Sequence, residues 1–207
     1  MARQKIALFG GTFDPIHLGH TQVAEAAAEQ IEAEEVVFIP AKCSPLKGFF
    51  PRASDDDRLR MIELAIQGGK GFSASDCELR RAAPSYTIDT VKRFQQEYGE
   101  ETSIYWLLGA DSVNDLVLWH RIDELIDACH LAVMVRGGYE APSFGKHLAA
   151  LGPDRVEKLR RDVIRTPSIP ISSTEIRERL AAGRDVRRML CPEVWRYICE
   201  RGLYKRD

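Results

Sequence analysis

The stretch that most limits how this chain can fold is Phe9-Gly-Gly-Thr-Phe-Asp-Pro-Ile-His-Leu-Gly-His20. Ahead of it stands Ile6-Ala7-Leu8-Phe9, an apolar run of strand length, and behind it the Ala- and Glu-rich segment Gln22 to Glu32 reads as a helix. Two glycines and two histidines therefore sit at a strand-to-helix crossover. Without a Cβ, Gly10 and Gly11 let a ligand come close to the backbone. A helix starting near Leu18 turns unpaired N–H groups and its positive dipole end toward that ligand, which is how a fold makes a phosphate site. His17 and His20, three residues apart, share a face of the first helical turn and offer two donors to anionic oxygens. The plainer alternative is a tight glycine turn with two surface histidines.

The same alternation continues along the chain. Strands are expected at Lys5–Phe9, Val36–Ile39, Phe72–Ser75, Ile104–Leu108, Leu131–Val135 and Val163–Ile164. Helices are expected at Leu18–Ala33, from Ser54 onward with Asp55, Asp56 and Asp57 in its first turn, and at Ser85–Tyr98 closed by Gly99. Ala110–Cys129 reads as helical with a break near Trp119-His120, and 142–161 as one or two short helices. Ser172–Ala182 and Pro192–Arg201 follow, each ended by a glycine. Strands alternating with helices mean an α/β fold: a Rossmann-like parallel sheet with helices on both faces, and C-terminal helices over about 172–207. One domain over 1–207 is expected at this length. The capping chemistry of a helix start accounts for the acidic triplet without a metal.

Composition removes several function classes. Lys and Arg number 29 against 31 Asp and Glu, for a net charge of −2, with no dense basic block. That argues against a nucleic-acid or membrane-surface binder but leaves room for a local basic pocket. The five cysteines, Cys43, Cys77, Cys129, Cys191 and Cys199, are scattered, with no metal-binding spacing. They read as reduced thiols, and with no signal peptide or membrane span the protein is expected in the cytoplasm.

Four further groups of residues carry chemistry. In Ile171-Ser-Ser-Thr-Glu-Ile-Arg177, Ser172 and Glu175 fit a capping box. The hydroxyls of Ser172, Ser173 and Thr174, with Arg177 in the next turn, also suit an anion, because arginine gives bidentate donors to phosphate. Gly109-Ala-Asp111 ends a strand, where Asp111 is either a helix cap or an acceptor for ribose hydroxyls. Ser85-Tyr86-Thr87 opens a helix. Lys47, in the loop after the second strand, and Arg136, after the fifth, can reach phosphates or lie on a solvated surface. Ligands in such a sheet bind at the carboxyl ends of the strands, where the Gly-Gly turn, Gly109 and Arg136 can face one crevice.

The string Phe9 to His20 resembles the signature of the nucleotidyltransferases named for their His-x-Gly-His motif, and its form here is similar to that of the bacterial nicotinate-mononucleotide adenylyltransferases. The resemblance runs from Lys5 to about Tyr204 and is patchy between Gly138 and Arg165. It implies that His17, His20, Lys47 and Arg177 act on the phosphates. It further implies that Gly10, Gly11, Thr12, Phe13, Gly109, Asp111, Ile171, Ser172, Ser173 and Thr174 bind ATP. Ser85, Tyr86, Thr87, Trp119 and Arg136 would take the mononucleotide, with the Ser85-Tyr-Thr amides beside the nicotinate carboxylate and Trp119 stacked on the pyridine. An α-helix from Asp111 would carry Trp119 roughly 12 Å along its axis. Where the family usually has Pro-His-Lys this chain has Pro45-Leu46-Lys47, and for Arg-Pro-Gly it has Arg136-Gly137-Gly138.

The implied reaction joins ATP and nicotinate mononucleotide into deamido-NAD and pyrophosphate, with Mg²⁺ carried on the nucleotide phosphates. The nucleophile is an already anionic phosphate oxygen, so positioning and charge neutralisation do the catalysis and no general base is needed. The alternatives are another adenylyl- or cytidylyltransferase of the superfamily, such as one acting on phosphopantetheine, or a catalytically silent nucleotide-binding regulator.

Overall fold

A computed structural model describes residues 3–43 and 50–205. Six strands form a single parallel sheet: β1 (Lys5–Gly11), β2 (Glu35–Pro40), β3 (Phe72–Ala74), β4 (Ser103–Gly109), β5 (His130–Arg136) and β6 (Val163–Thr166). Their spatial order is β3-β2-β1-β4-β5-β6, the doubly wound order whose direction reverses between β1 and β4. Every neighbouring pair is parallel.

The strands are apolar on both faces because helices cover both. Ile6, Leu8, Trp106, Leu108, Leu131 and Val133 join one core. Ala7, Phe9, Phe38, Leu107, Ala132 and Met134, one residue out of step with them, join the other. This period of two is the pleat of a buried parallel strand. The first face is covered by α4 (Thr87–Tyr98), α5 (Ile122–Ala128) and α7 (Pro153–Arg161), which follows two short elements, 3₁₀ turn 145–147 and α6 (Leu148–Leu151). The second is covered by α1 (Leu18–Ile31), α2 (Asp55–Ile66), α8 (Ser173–Ala181) and α9 (Pro192–Arg201). Cys77 and Cys129 are small buried members of the first core.

Four local expectations are corrected. Gly10 and Gly11 are not a turn: β1 runs on through them, Gly10 opposite Ile39 and Gly11 opposite Pro40, and the chain turns only afterwards. Helix α4 begins at Thr87 rather than Ser85, because Ser85 is held by the chain after β2: its N–H donates to the Cys43 carbonyl (3.2 Å) and its Oγ accepts from Lys42 N (3.3 Å). Ala110–Leu118 is a 3₁₀ helix, not an α-helix. A four-residue helix, α3 (Cys77–Arg80), stands where none was expected. Among the described residues no helix is long and apolar enough to cross a membrane.

Candidate active site

A cleft of about 610 Å³ opens where the carboxyl ends of β1 and β4 diverge. It is walled by Phe9–Thr12, Trp106–Gly109, Ser85–Thr87, the 3₁₀ helix Ala110–Leu118 and the Trp119-His120 pair that follows it. The glycines at this point answer to neighbouring side chains. A Cβ on Gly10 would lie 2.3 Å from Cζ2 of Trp106, and one on Gly109 would lie 2.4 Å from Oδ1 of Asp111. Glycine at 10 thus leaves room for the Trp106 indole at the cleft wall, and glycine at 109 leaves room for the Asp111 carboxylate beside the strand end.

The far wall is aromatic. Tyr86 and His120 stack with ring centroids 4.1 Å apart, and Trp119, half-buried, packs on the sheet core beside them. A 3₁₀ helix rises about 2.0 Å per residue, so Trp119 lies roughly 16 Å along the axis from Asp111, further than α-geometry would take it. The chain then turns at Arg121, which is in the left-handed region at φ 53°. Beneath Tyr86, Arg81 Nη2 donates to the Tyr86 carbonyl and to Thr90 Oγ1 (both 3.2 Å). Thr90 Oγ1 donates to the buried Glu78 at 2.6 Å. Burial pushes the Glu78 carboxyl upward, opposed by the hydrogen bond from Thr90 and the charge of Arg81.

The residues lining this cleft include Glu78, Asp111 and Asp115 and, among those described, no lysine or arginine. The cationic groups gather to one side, around the turn after β1. Arg177 donates from Nη1 to the Asp14 carbonyl (2.6 Å) and from Nη2 to Thr174 Oγ1 (3.1 Å). Ser173 Oγ donates to the Pro15 carbonyl (2.8 Å). The two sequence motifs, at opposite ends of the chain, are therefore hydrogen-bonded to each other. Ser172 caps α8 by accepting from Glu175 N (3.1 Å), while Ile171 packs on the second core. Arg58, fully buried, donates from Nη1 to the Thr12 carbonyl (2.8 Å) and pairs with Asp55 (2.6 Å).

At the head of α1, His17 N donates to Nδ1 of His20 (3.2 Å). His17 is buried, and loss of solvation lowers its pKa to about 4. It is neutral at physiological pH, with one ring N–H and no positive charge. The α1 N-terminus is less open than expected, since the Leu18 amide donates to the Met189 carbonyl (3.0 Å). Lys47 lies outside the described residues. Arg136 is exposed at the end of β5 and does not line the cleft. Glu78, Trp106 and His120 line the cleft and Arg58 braces the turn, none of them anticipated from the sequence. Arg58 leaves one trace there, a charge at helical spacing from the apolar Met61 and Ile62. No group of three or more His, Cys, Asp or Glu among the described residues is arranged to hold a metal ion.

The cytidylyltransferase-like family profile matches residues 8–179. A Rhodopirellula baltica protein named "probable nicotinate-nucleotide adenylyltransferase" is 38% identical over 182 residues, covering 88% of this chain and 85% of its own. A protein of the same name from Thermoanaerobacter sp. is 38% identical over 206 residues, with 98% and 95% covered. Among solved structures, the Plasmodium falciparum nicotinic acid mononucleotide adenylyltransferase complexed with NaAD superposes with a TM-score of 0.74 at 21% identity, covering 97% of each chain.

Proposed function

The chain belongs to the cytidylyltransferase-like nucleotidyltransferases, in their nicotinate-nucleotide adenylyltransferase branch, and on that premise we propose that it transfers the adenylyl group of ATP to nicotinate mononucleotide in NAD biosynthesis. A phosphate oxygen of the mononucleotide attacks the α-phosphorus of ATP, the bond from that phosphorus to the β-phosphate bridging oxygen breaks, and deamido-NAD and pyrophosphate leave.

The observation that carries this reading is the contact between the two motifs. Arg177 reaches the carbonyl of Asp14 and Ser173 reaches that of Pro15. One arginine fork, the start of α1 and the start of α8 thereby gather beside an uncharged-to-acidic cleft at the sheet's switch point. The division of charge supports a division of labour. Phosphates fit the side bearing His17, His20 and Arg177, with Lys47 brought in by the loop after β2; Gly10, Gly11, Thr12, Phe13, Ile171, Ser172, Ser173 and Thr174 shape that side. Nucleoside and pyridine fit the cleft, where Asp111 accepts from ribose and Trp119 offers a flat face. Of the Ser85-Tyr86-Thr87 amides, that of Ser85 is taken by the Cys43 carbonyl; those of Tyr86 and Thr87, on the cleft wall at the start of α4, favour a carboxylate over a neutral amide. Arg136 is the weakest of the assigned binders, since it stands outside the cleft wall. Magnesium enters as part of the ATP substrate, and the soluble small-molecule chemistry fits a cytoplasmic enzyme acting as one domain.

Because the attacking oxygen is already anionic, the histidines act as hydrogen-bond donors rather than bases. Catalysis is alignment of two polyanions and neutralisation of charge at the α-phosphate and the leaving group. The test is pyrophosphate release on mixing magnesium-ATP with nicotinate mononucleotide, phosphopantetheine or no acceptor. Release with the mononucleotide alone is expected. Release only with another acceptor would move the chain elsewhere in the superfamily, and none at all would leave a nucleotide-binding regulator.

A further inference from the structure

Asp14 is buried and gathers contacts from three distant parts of the chain. Its Oδ2 accepts from Arg52 N (2.8 Å), and its Oδ1 accepts from Ala53 N (3.1 Å) and from the Tyr204 hydroxyl (2.7 Å). Its carbonyl accepts from Arg177 Nη1, and that same nitrogen lies 4.0 Å from Oδ2. The backbone on both sides of this junction is held in an unfavourable conformation. Phe13 is at φ 47° and Tyr204 at φ 64°, in the left-handed region that bulky side chains avoid. Such residues persist where their surroundings over-determine them, and they cluster at functional sites.

We infer that Tyr204 is a positioning residue of the triphosphate side: its hydroxyl fixes the Asp14 carboxylate, and Asp14 fixes the turn from which Arg177 faces the nucleotide. This rests on the reading of Arg177 as a phosphate-binding residue. Tyr204 is only 8% exposed. Burial, with the Asp14 carboxylate beside it, holds the phenol far above its ordinary pKa, so it stays a donor at any working pH. Through this bond the last turn of the chain becomes part of the ATP site without touching ATP.

The structure also provides a control. Tyr197, in α9 just ahead of Tyr204, donates to Asp57 Oδ1 (2.8 Å), which also accepts from Arg201 Nε (3.1 Å). That bond ties the C-terminal segment to α2 without involving Asp14. If Tyr204 merely anchored the tail, losing either hydroxyl would have the same consequence.

The experiment uses the full chain and measures Kd by calorimetry and KM by pyrophosphate release, for magnesium-ATP and for nicotinate mononucleotide. Tyr204→Phe should raise Kd and KM for ATP at least fivefold and leave those for the mononucleotide within twofold. Tyr197→Phe should lower Tm yet leave both substrates within twofold. Added to Arg177→Lys, Tyr204→Phe should change KM for ATP by less than a further twofold, because both act through one contact. An unchanged Kd for ATP in Tyr204→Phe, or an equal rise in Tyr197→Phe, would overturn the inference. Should Tyr204→Phe not fold, Asp14→Asn carries the same expectation, since it keeps the volume but removes the charge 4.0 Å from Arg177. Failure of the functional reading looks different: the wild-type chain would then bind ATP without releasing pyrophosphate, or not bind it.

Discussion

The rings of His17 and His20 lie stacked, with centroids 3.7 Å apart and 21° between their planes. The glycine between them makes this possible. A Cβ on Gly19 would stand 3.0 Å from both Cε1 and Nδ1 of His17, tighter than ordinary van der Waals contact, so an alanine there makes the imidazole give by a few tenths of an ångström. The spacing His-x-Gly-His thus encodes a stacked pair of rings on the first turn of α1.

Disturbing that pair should slow the chemistry more than it weakens binding. His17→Ala should lower kcat by about 10², as loss of a preorganised donor to the transition state does, with KM for the mononucleotide little changed. Gly19→Ala should fall in the same direction with both histidines still present. Near wild-type kcat in steady-state assays of both variants would remove His17 from the phosphate role.

His17 also makes stability depend on pH. The folded chain holds its pKa near 4 and the unfolded chain near 6.5. Below about 6.5 the unfolded state takes up a proton that the folded state refuses, so stability is highest above that value and falls as pH drops toward 4. At pH 5 the loss from this one group is about 2 kcal/mol. Urea unfolding at pH 7.5 and pH 5 should show the wild type losing about that much more stability than His17→Gln. Equal losses would mean the imidazole titrates normally in the fold.

Arg177→Lys should not be mild. The fork divides its two ends between the Asp14 carbonyl and Thr174 Oγ1, and a lysine ammonium keeps the charge without the planar geometry. KM for ATP should rise several-fold, kcat should fall, and KM for the mononucleotide should hold. Kinetics equal to wild type would reduce Arg177 to a helix brace.

Trp119→Ala should raise KM for the mononucleotide several-fold and leave KM for ATP nearly fixed, with Trp119→Phe recovering part of the loss. An indole face against a flat ring adds on the order of 0.5–1.5 kcal/mol beyond burial. If the alanine variant is only less stable, with both KM values unchanged in the folded fraction, Trp119 is core.

What was legible in the sequence was periodic or punctuated. The strand-helix alternation gave all six strands and the doubly wound class, because buried parallel strands are apolar runs bounded by turns. The capped starts of α2 and α8 were visible because Ser54 and Ser172 act locally, each on the amide three residues on. What was hidden depends on partners distant in the chain. Nothing near Gly10 announces that Trp106 will occupy its Cβ position, and nothing near Asp14 announces Tyr204. Ser85 reads as the first residue of α4 in the sequence, yet Cys43 and Lys42, distant in the chain, claim its amide and hydroxyl. The 3₁₀ form of Ala110–Leu118 has no pattern of its own, since its apolar spacing fits either helix.

The most direct test of the account compares nicotinate mononucleotide with nicotinamide mononucleotide, side by side with magnesium-ATP, by kcat/KM from pyrophosphate release. The amides at the start of α4 beside the aromatic wall favour a carboxylate, so the acid should be used at least tenfold more efficiently. Equal or greater efficiency with the amide would contradict the assignment of that helix start to the nicotinate carboxylate, and with it the proposed substrate.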